Sequence, residues 1–79
     1  MSWYQQSVDQ YAVRVTYDVN NRIEYVGEAH PKNQNKTQGT YWRIKKLIYD
    51  GAGNLIATLW ANRDSRFIYS WDSRASYAY

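Results

Sequence analysis

A small all-β domain is predicted: an antiparallel sheet of five to six strands, run as a meander and curled into a barrel or packed as a sandwich. Three observations predict it. Several segments alternate apolar and polar residues with period two, as half-buried strands do. Short turns rich in Asn, Asp and Gly separate those segments. Nine tyrosines, four tryptophans and Phe67 lie in only 79 residues, and rings of this size suit a pleated, partly buried surface.

The first strand is read from Tyr11, Val13, Val15 and Tyr17, which alternate with Ala12, Arg14 and Thr16. Asp18-Val19-Asn20-Asn21 follows, and Asn-Asn tolerates the positive φ of a tight hairpin. Arg22 to Ala29 returns as the second strand, with Ile23 and Tyr25 on one face. Gly27 interrupts that alternation and marks either a bulge or a close approach of another group to the backbone. Residues 30–40 hold no apolar side chain except Pro31, which predicts a mobile polar loop. Asn35-Lys36-Thr37 is formally a glycosylation sequon, and without a secretory signal it is read as coincidence.

Tyr41 to Asp50 and Leu55 to Ala61 form the second hairpin, around Asp50-Gly51-Ala52-Gly53-Asn54 with its glycines for positive φ. Trp42 and Ile44 share one phase of the outgoing strand, Leu47 and Tyr49 the other, so a bulge is expected at Lys45-Lys46. A short helix over Trp42–Tyr49 competes, but the glycine turn and β-rich flanks argue for strand. After Asn62-Arg63-Asp64-Ser65-Arg66, a fifth strand carries Phe67, Tyr69 and Trp71, and Ala75 to Tyr79 is a sixth, closing strand with Tyr77 and Tyr79 in phase. Residues 1–9 lack a clean period and are read as an N-terminal arm, a short strand or a helical turn. No internal repeat or linker divides the chain, so residues 1–79 are one domain.

A chain of this length buries only roughly 60% of its unfolded surface, and one core of this size rarely supplies more than about 3–5 kcal/mol. There is no cysteine and a single histidine, His30, so neither a disulfide nor a conventional zinc site is available as a staple. Aromatic packing or association with other subunits remains. Fourteen rings exceed what such a core holds, so some face solvent, a partner or a ligand. The net charge of +3 is mild and its charges are interspersed, with Lys45-Lys46 the only basic doublet. No apolar run reaches the roughly 18 residues of a membrane span. The amino end lacks the basic start and apolar core of a signal peptide, so a cytosolic origin is expected.

Catalytic chemistry is thinly provided. His30 reads as a solvated loop histidine, and Asp18, Asp50 and Asp64 sit where turns favour aspartate. No phosphate-binding, dinucleotide-binding or nucleophile-elbow motif occurs. The chain is read as non-enzymatic, without cofactor or metal. Three binding roles stay open. Tyr41-Trp42-Arg43-Ile44-Lys45-Lys46 interleaves rings with cations, as a single-strand nucleic-acid surface would, although Trp42 and Ile44 facing a core explain it more simply. Trp3, Trp60 or Trp71 could offer platforms for a sugar. A structural module packing on copies of itself or on a partner suits the surplus rings best. Candidate contact residues are Trp3, Tyr4, Tyr41, Arg43, Lys45, Tyr77 and Tyr79. At the carboxy end Asp72 and Arg74 flank a serine, as an ion pair or an Asx-type turn. There Trp71 and Tyr77 anchor the last turn, while Tyr77-Ala78-Tyr79 could instead dock as an added strand.

The sequence resembles a set of short proteins of tailed bacteriophages. The likeness runs through Tyr25-Val26-Gly27-Glu28-Ala29, Trp42-Arg43-Ile44-Lys45-Lys46, Trp60-Ala61-Asn62 and Trp71-Asp72-Ser73-Arg74-Ala75-Ser76-Tyr77. It departs at Arg63, where the family usually has glycine, and at Ser73, where the family reads Trp-Asp-Asp-Arg. The resemblance implies a minor virion component of head, neck or tail, made in the bacterial cytoplasm and working through contacts with other virion proteins or copies of itself. It transfers no catalytic or ligand residue.

Overall fold

The structure is a computed structural model that describes residues 10–79. It is all-β, as predicted. Strands β1 (Ala12–Tyr17), β2 (Ile23–Ala29), β3 (Thr40–Tyr49) and β4 (Leu55–Trp60) form an antiparallel meander in the order β1-β2-β3-β4. A two-residue strand, β5 (Tyr69–Ser70), pairs with β3 at Thr40 and Trp42, beyond the reach of β4, whose partners are Lys45 to Tyr49. Among the described residues the sheet is open and does not close into the barrel that the sequence left possible. The fifth strand is shorter than expected because the chain turns into a 3₁₀ segment at Trp71–Ser76. That segment and the tail beyond it replace the expected sixth strand. No helix among the described residues is long and apolar enough to cross a membrane.

Both hairpin turns are organised by aspartate. In the first, Asn21 takes φ 62°, and the Asp18 carboxylate accepts the backbone N–H groups of Asn20 and Arg22 at 2.8 and 3.0 Å and pairs with Arg22 Nε at 3.1 Å. These bonds lower the Asp18 pKa, the Arg22 backbone N–H most of all. In the second, Asp50 accepts from Ala52 and Asn54, and only Gly53, at φ 87°, uses the left-handed region.

The core lies on one side of the sheet, under a lid made by the carboxy-terminal third. Trp42 and Ile44 of β3 and Ala29 of β2 are fully inaccessible, and Tyr25, Ala61, Tyr69 and Trp71 complete the cluster. Trp71 packs on Trp42 with ring centroids 6.0 Å apart, and Arg74 covers its other exposure at 4.7 Å from the ring. Gly27 proves to be a close approach, since a Cβ there would lie 2.5 and 2.7 Å from Trp71 ring atoms. It is not a bulge: Arg14, Gly27 and Ile44 stand in regular register across three strands. Nor is there a slip at Lys45-Lys46, which face Trp60 and Leu59 in unbroken register. The change of phase along β3 has another cause. Trp42 and Ile44 point to the lid, whereas Leu47 and Tyr49 lie on the opposite face, past the end of the core.

Residues 30–40 form a chain of turns rather than a plain loop. Four successive backbone bonds run from Asn33, Gln34, Lys36 and Gly39 to the carbonyls three residues earlier. Trp42 Nε1 donates to the Lys36 carbonyl at 3.2 Å, while Ser70 Oγ and the Asp72 N–H both donate to the Thr37 carbonyl. Asn33 is buried as a result. The tail is tied back through Asn62, whose N–H donates to the Ala78 carbonyl at 2.7 Å and whose side chain accepts from the Ala78 N–H at 2.9 Å. Asn62 and Arg63 both lie in the left-handed region, at φ 52° and 60°.

Candidate interaction face

The side of the sheet away from the lid is built from odd positions of β1 and β3 with even positions of β2 and β4, as far as the register irregularities that set Tyr17 opposite Ile23 and Tyr49 opposite Leu55. One row crosses all four strands: Val15 faces Val26, Val26 faces Lys45, and Lys45 faces Trp60. A second row joins Val13, Glu28 and Arg43. Leu47 and Thr58 form a pair further along. Val13 and Val15 remain 57% and 37% exposed, and Tyr17 58%. The alternation in β1 is therefore real, but its large apolar residues point to solvent, and Ala12 packs on the core instead.

Arg43 organises one end of this face. Its guanidinium carbon lies 4.7 Å from the Phe67 ring, 5.1 Å from Tyr11 and 5.5 Å from Trp60, and its Nε donates to Glu28 Oε1 at 2.7 Å. A planar cation suits this place because it stacks on rings while its edge meets a carboxylate. His30 completes an aromatic group with Phe67 and Tyr11, at centroid distances of 4.9 and 5.7 Å. Beside it His30, Lys32, Asn33, Lys36, Tyr41 and Phe67 line an open concavity. Lys36 Nζ stands 5.7 Å from the Tyr41 ring, and Lys45 Nζ 5.6 Å from that of Trp60.

Of the candidate contact residues, Tyr41, Arg43 and Lys45 therefore share this face, Tyr41 being 42% exposed. Tyr77 and Tyr79 lie elsewhere, as supports of the lid. The Tyr77 hydroxyl accepts the Ser70 N–H at 2.8 Å and its ring meets Tyr69 edge-on. Tyr79 packs on Tyr25 and donates to the Arg74 carbonyl, and burial pushes its phenol well above the usual range. The terminal tripeptide is thus held by its own fold. Trp3 and Tyr4 lie outside the described residues. Trp71 is buried and offers no platform to a sugar. Trp71 and Tyr77 do anchor the last turn, but Asp72 and Arg74 are not paired: Thr37 donates to Asp72, and Arg74 donates to the Trp71 carbonyl. Sequence reading passed over Val13, Val15 and Trp60 as members of one surface; strand register alone joins them.

Among the described residues no group of three or more His, Cys, Asp or Glu is placed to hold a metal ion. Asp64, Arg66 and Tyr69 form a compact polar cluster on the lid side. Arg66 pairs with Asp64 at 2.6 Å and Tyr69 donates to the same carboxylate at 3.0 Å. Chiefly through Arg66, this holds Asp64 well below the usual carboxylate range. The three groups fasten a turn.

No protein-family model matches the chain, and no curated protein or solved structure is similar to it at a significant level.

Proposed function

We propose that this protein is a non-enzymatic virion structural or adaptor module of a tailed bacteriophage, acting through protein–protein contacts. The observation that carries the contact role is the open face of the sheet. Val15 faces solvent in register with Val26, Lys45 and Trp60, and Val13 faces solvent beside it in register with Glu28 and Arg43. Covering such a face removes apolar area from water at roughly 25 cal/mol per Å². The ring-clasped Arg43 and Trp60 are residue types that dominate contact energies. The assignment to a virion rests on the resemblance to phage proteins. Arg63 gives that resemblance some support: it stands where the family carries glycine and adopts φ 60°, a conformation glycine takes at least cost.

Mass spectrometry of purified particles of the encoding phage tests the placement, and Val15→Glu tests the surface. The chain is expected in wild-type particles and depleted from those carrying the variant, with the isolated domain still folded. Absence from wild-type particles would end the virion reading, and normal incorporation of Val15→Glu would remove the face from it.

A second reading, single-strand nucleic-acid binding, is favoured by the concavity that places Lys32, Lys36 and His30 beside Tyr41 and Phe67. Against it, Arg43 is already paired with Glu28. Tight binding of an oligonucleotide that weakens steeply with salt would select this reading.

A further inference from the structure

The concavity beside Phe67 has a volume of about 500 Å³, within the range of roughly 300–1,000 Å³ usual for small-ligand sites. His30, Lys32, Asn33, Lys36, Tyr41 and Phe67 line it, with two lysines and no acid among them. Most of its wall comes from residues 30–40, a segment without Asp or Glu. Backbone bonds from the Asn33 N–H to the His30 carbonyl and from the Lys36 N–H to the Asn33 carbonyl fix that wall. Lys32 and Lys36 therefore come from one hydrogen-bonded run of turns. Asn33 is only 7% exposed, and its side-chain amide carries both donors and an acceptor.

Tyr41 offers a platform. It is 42% exposed, and Lys36 Nζ stands 5.7 Å from its ring. The ring lies close over Gly39, where a Cβ would stand 2.7 Å from Tyr41 Cδ2. A residue without a side chain at 39 lets the ring take this position. Phe67 is fixed by the His30 ring at 4.9 Å and by the Arg43 guanidinium at 4.7 Å. Groups held in this way lose little freedom when a ligand arrives.

We infer that this concavity binds a nucleoside phosphate, with the base stacked on Tyr41 and the phosphate met by Lys32 and Lys36. Each half of the ligand has its counterpart. Any base stacks on an aromatic ring, and a lysine ammonium meets phosphate as a point charge. A ringless anion would use the lysines and leave Tyr41 idle. A free nucleotide and one unit of a single strand present the same chemistry. The inference rests on the second reading above and deepens it, with the contacts on the turns and Tyr41 rather than along residues 43–46, where Arg43 is held by Glu28.

The test is a titration of isotope-labelled protein with adenosine monophosphate, read from backbone amide shifts. Saturable shifts are expected at Lys32, Asn33, Lys36 and Tyr41. Tyr41→Ala should weaken the nucleotide roughly 5-fold to 150-fold, the worth of one stacked base, and leave inorganic phosphate unchanged. Lys36→Gln should weaken both. Unmoved amides in the rest of the sheet show that each variant folds. No shift at millimolar nucleotide, shifts confined to residues 45–46, or an equal response to inorganic phosphate overturns the inference. A short oligothymidylate separates the two sources of ligand. If it binds at the same residues more tightly than the mononucleotide, the site serves a strand; if more weakly, a free nucleotide. An oligothymidylate that binds with steep salt dependence yet ignores Tyr41→Ala ends this inference and leaves the second reading standing on another surface. Binding of neither probe ends both.

Discussion

Replacing Gly27 with alanine puts a methyl group into the tightest contact between the sheet and its lid. The new Cβ would stand 2.5 and 2.7 Å from Cε3 and Cζ3 of Trp71 and 3.2 Å from Cε3 of Trp42, whereas carbon atoms settle at roughly 3.5–4.0 Å. About 1 Å of movement is needed, and neither ring yields easily. Trp42 is fully inaccessible, and Trp71 is 6% exposed, with Arg74 stacked on it. Overpacking of this kind costs about 1–3 kcal/mol. Restricting the unfolded chain works in the opposite direction by about 0.4–1 kcal/mol. The net loss is then about 1–2 kcal/mol, a fall in melting temperature of about 4–16 °C for a domain of this size. Thermal unfolding followed by near-ultraviolet circular dichroism reads it directly, since Trp42 and Trp71 are buried, packed chromophores at the site of the change. Gly51→Ala is the control: nothing lies within 4 Å of its Cβ position, so its melting temperature should hold or rise. If Gly27→Ala melts at or above wild type with its tryptophan signal unchanged, the lid does not press on the sheet as described.

Other substitutions probe the remaining parts of the argument. Arg63→Gly should stabilise the domain by about 0.5–1 kcal/mol, because an L-residue in the left-handed region costs roughly 1–2 kcal/mol and the entropy of glycine returns part of that; a loss in urea unfolding would show that the Arg63 side chain matters more than its backbone. The folded pKa of Asp64 lies below its unfolded value, so its stabilisation is complete above about pH 4 and fades as pH falls towards the folded value. Asp64→Asn should therefore lower stability at neutral pH and flatten the acid side of the stability profile, and parallel profiles would contradict the Arg66 linkage. Arg43→Ala should cost about 1–2 kcal/mol, from partly exposed cation–π contacts and its pair with Glu28, with Arg43→Lys recovering only part. No change in either would mean that Tyr11, His30 and Phe67 hold one another unaided.

Local features are legible in the sequence. Asp18, Asp50 and Asp64 each serve a turn as aspartates do, Asn21 takes the positive φ foreseen for Asn-Asn, and Trp42–Tyr49 is strand. Errors arose where sequence-distant groups compete for one space. The expected slip at Lys45-Lys46 mistook a change in what covers the strand for a change in its register. The polar loop at 30–40 was legible as irregular, but its ties to Ser70, Asp72 and Trp42 join residues far apart in the chain. Tyr77 and Tyr79 looked like contact residues because burial of a terminal ring leaves no local trace.

Period and turn chemistry, set by neighbours along the chain, determined that this protein is an antiparallel β meander and where its hairpins turn. Which face of the sheet is covered was decided only in three dimensions. Trp42 and Trp71 take up the space on the lid side, so β1 and β2 offer the small Ala12, Gly27 and Ala29 where those rings pack, and Tyr25 fills the lid side further along. The larger Val13 and Val15 are thereby left on the open face. Alternation shows that a strand has two unlike sides; the volume contributed by distant rings determines which of them is buried.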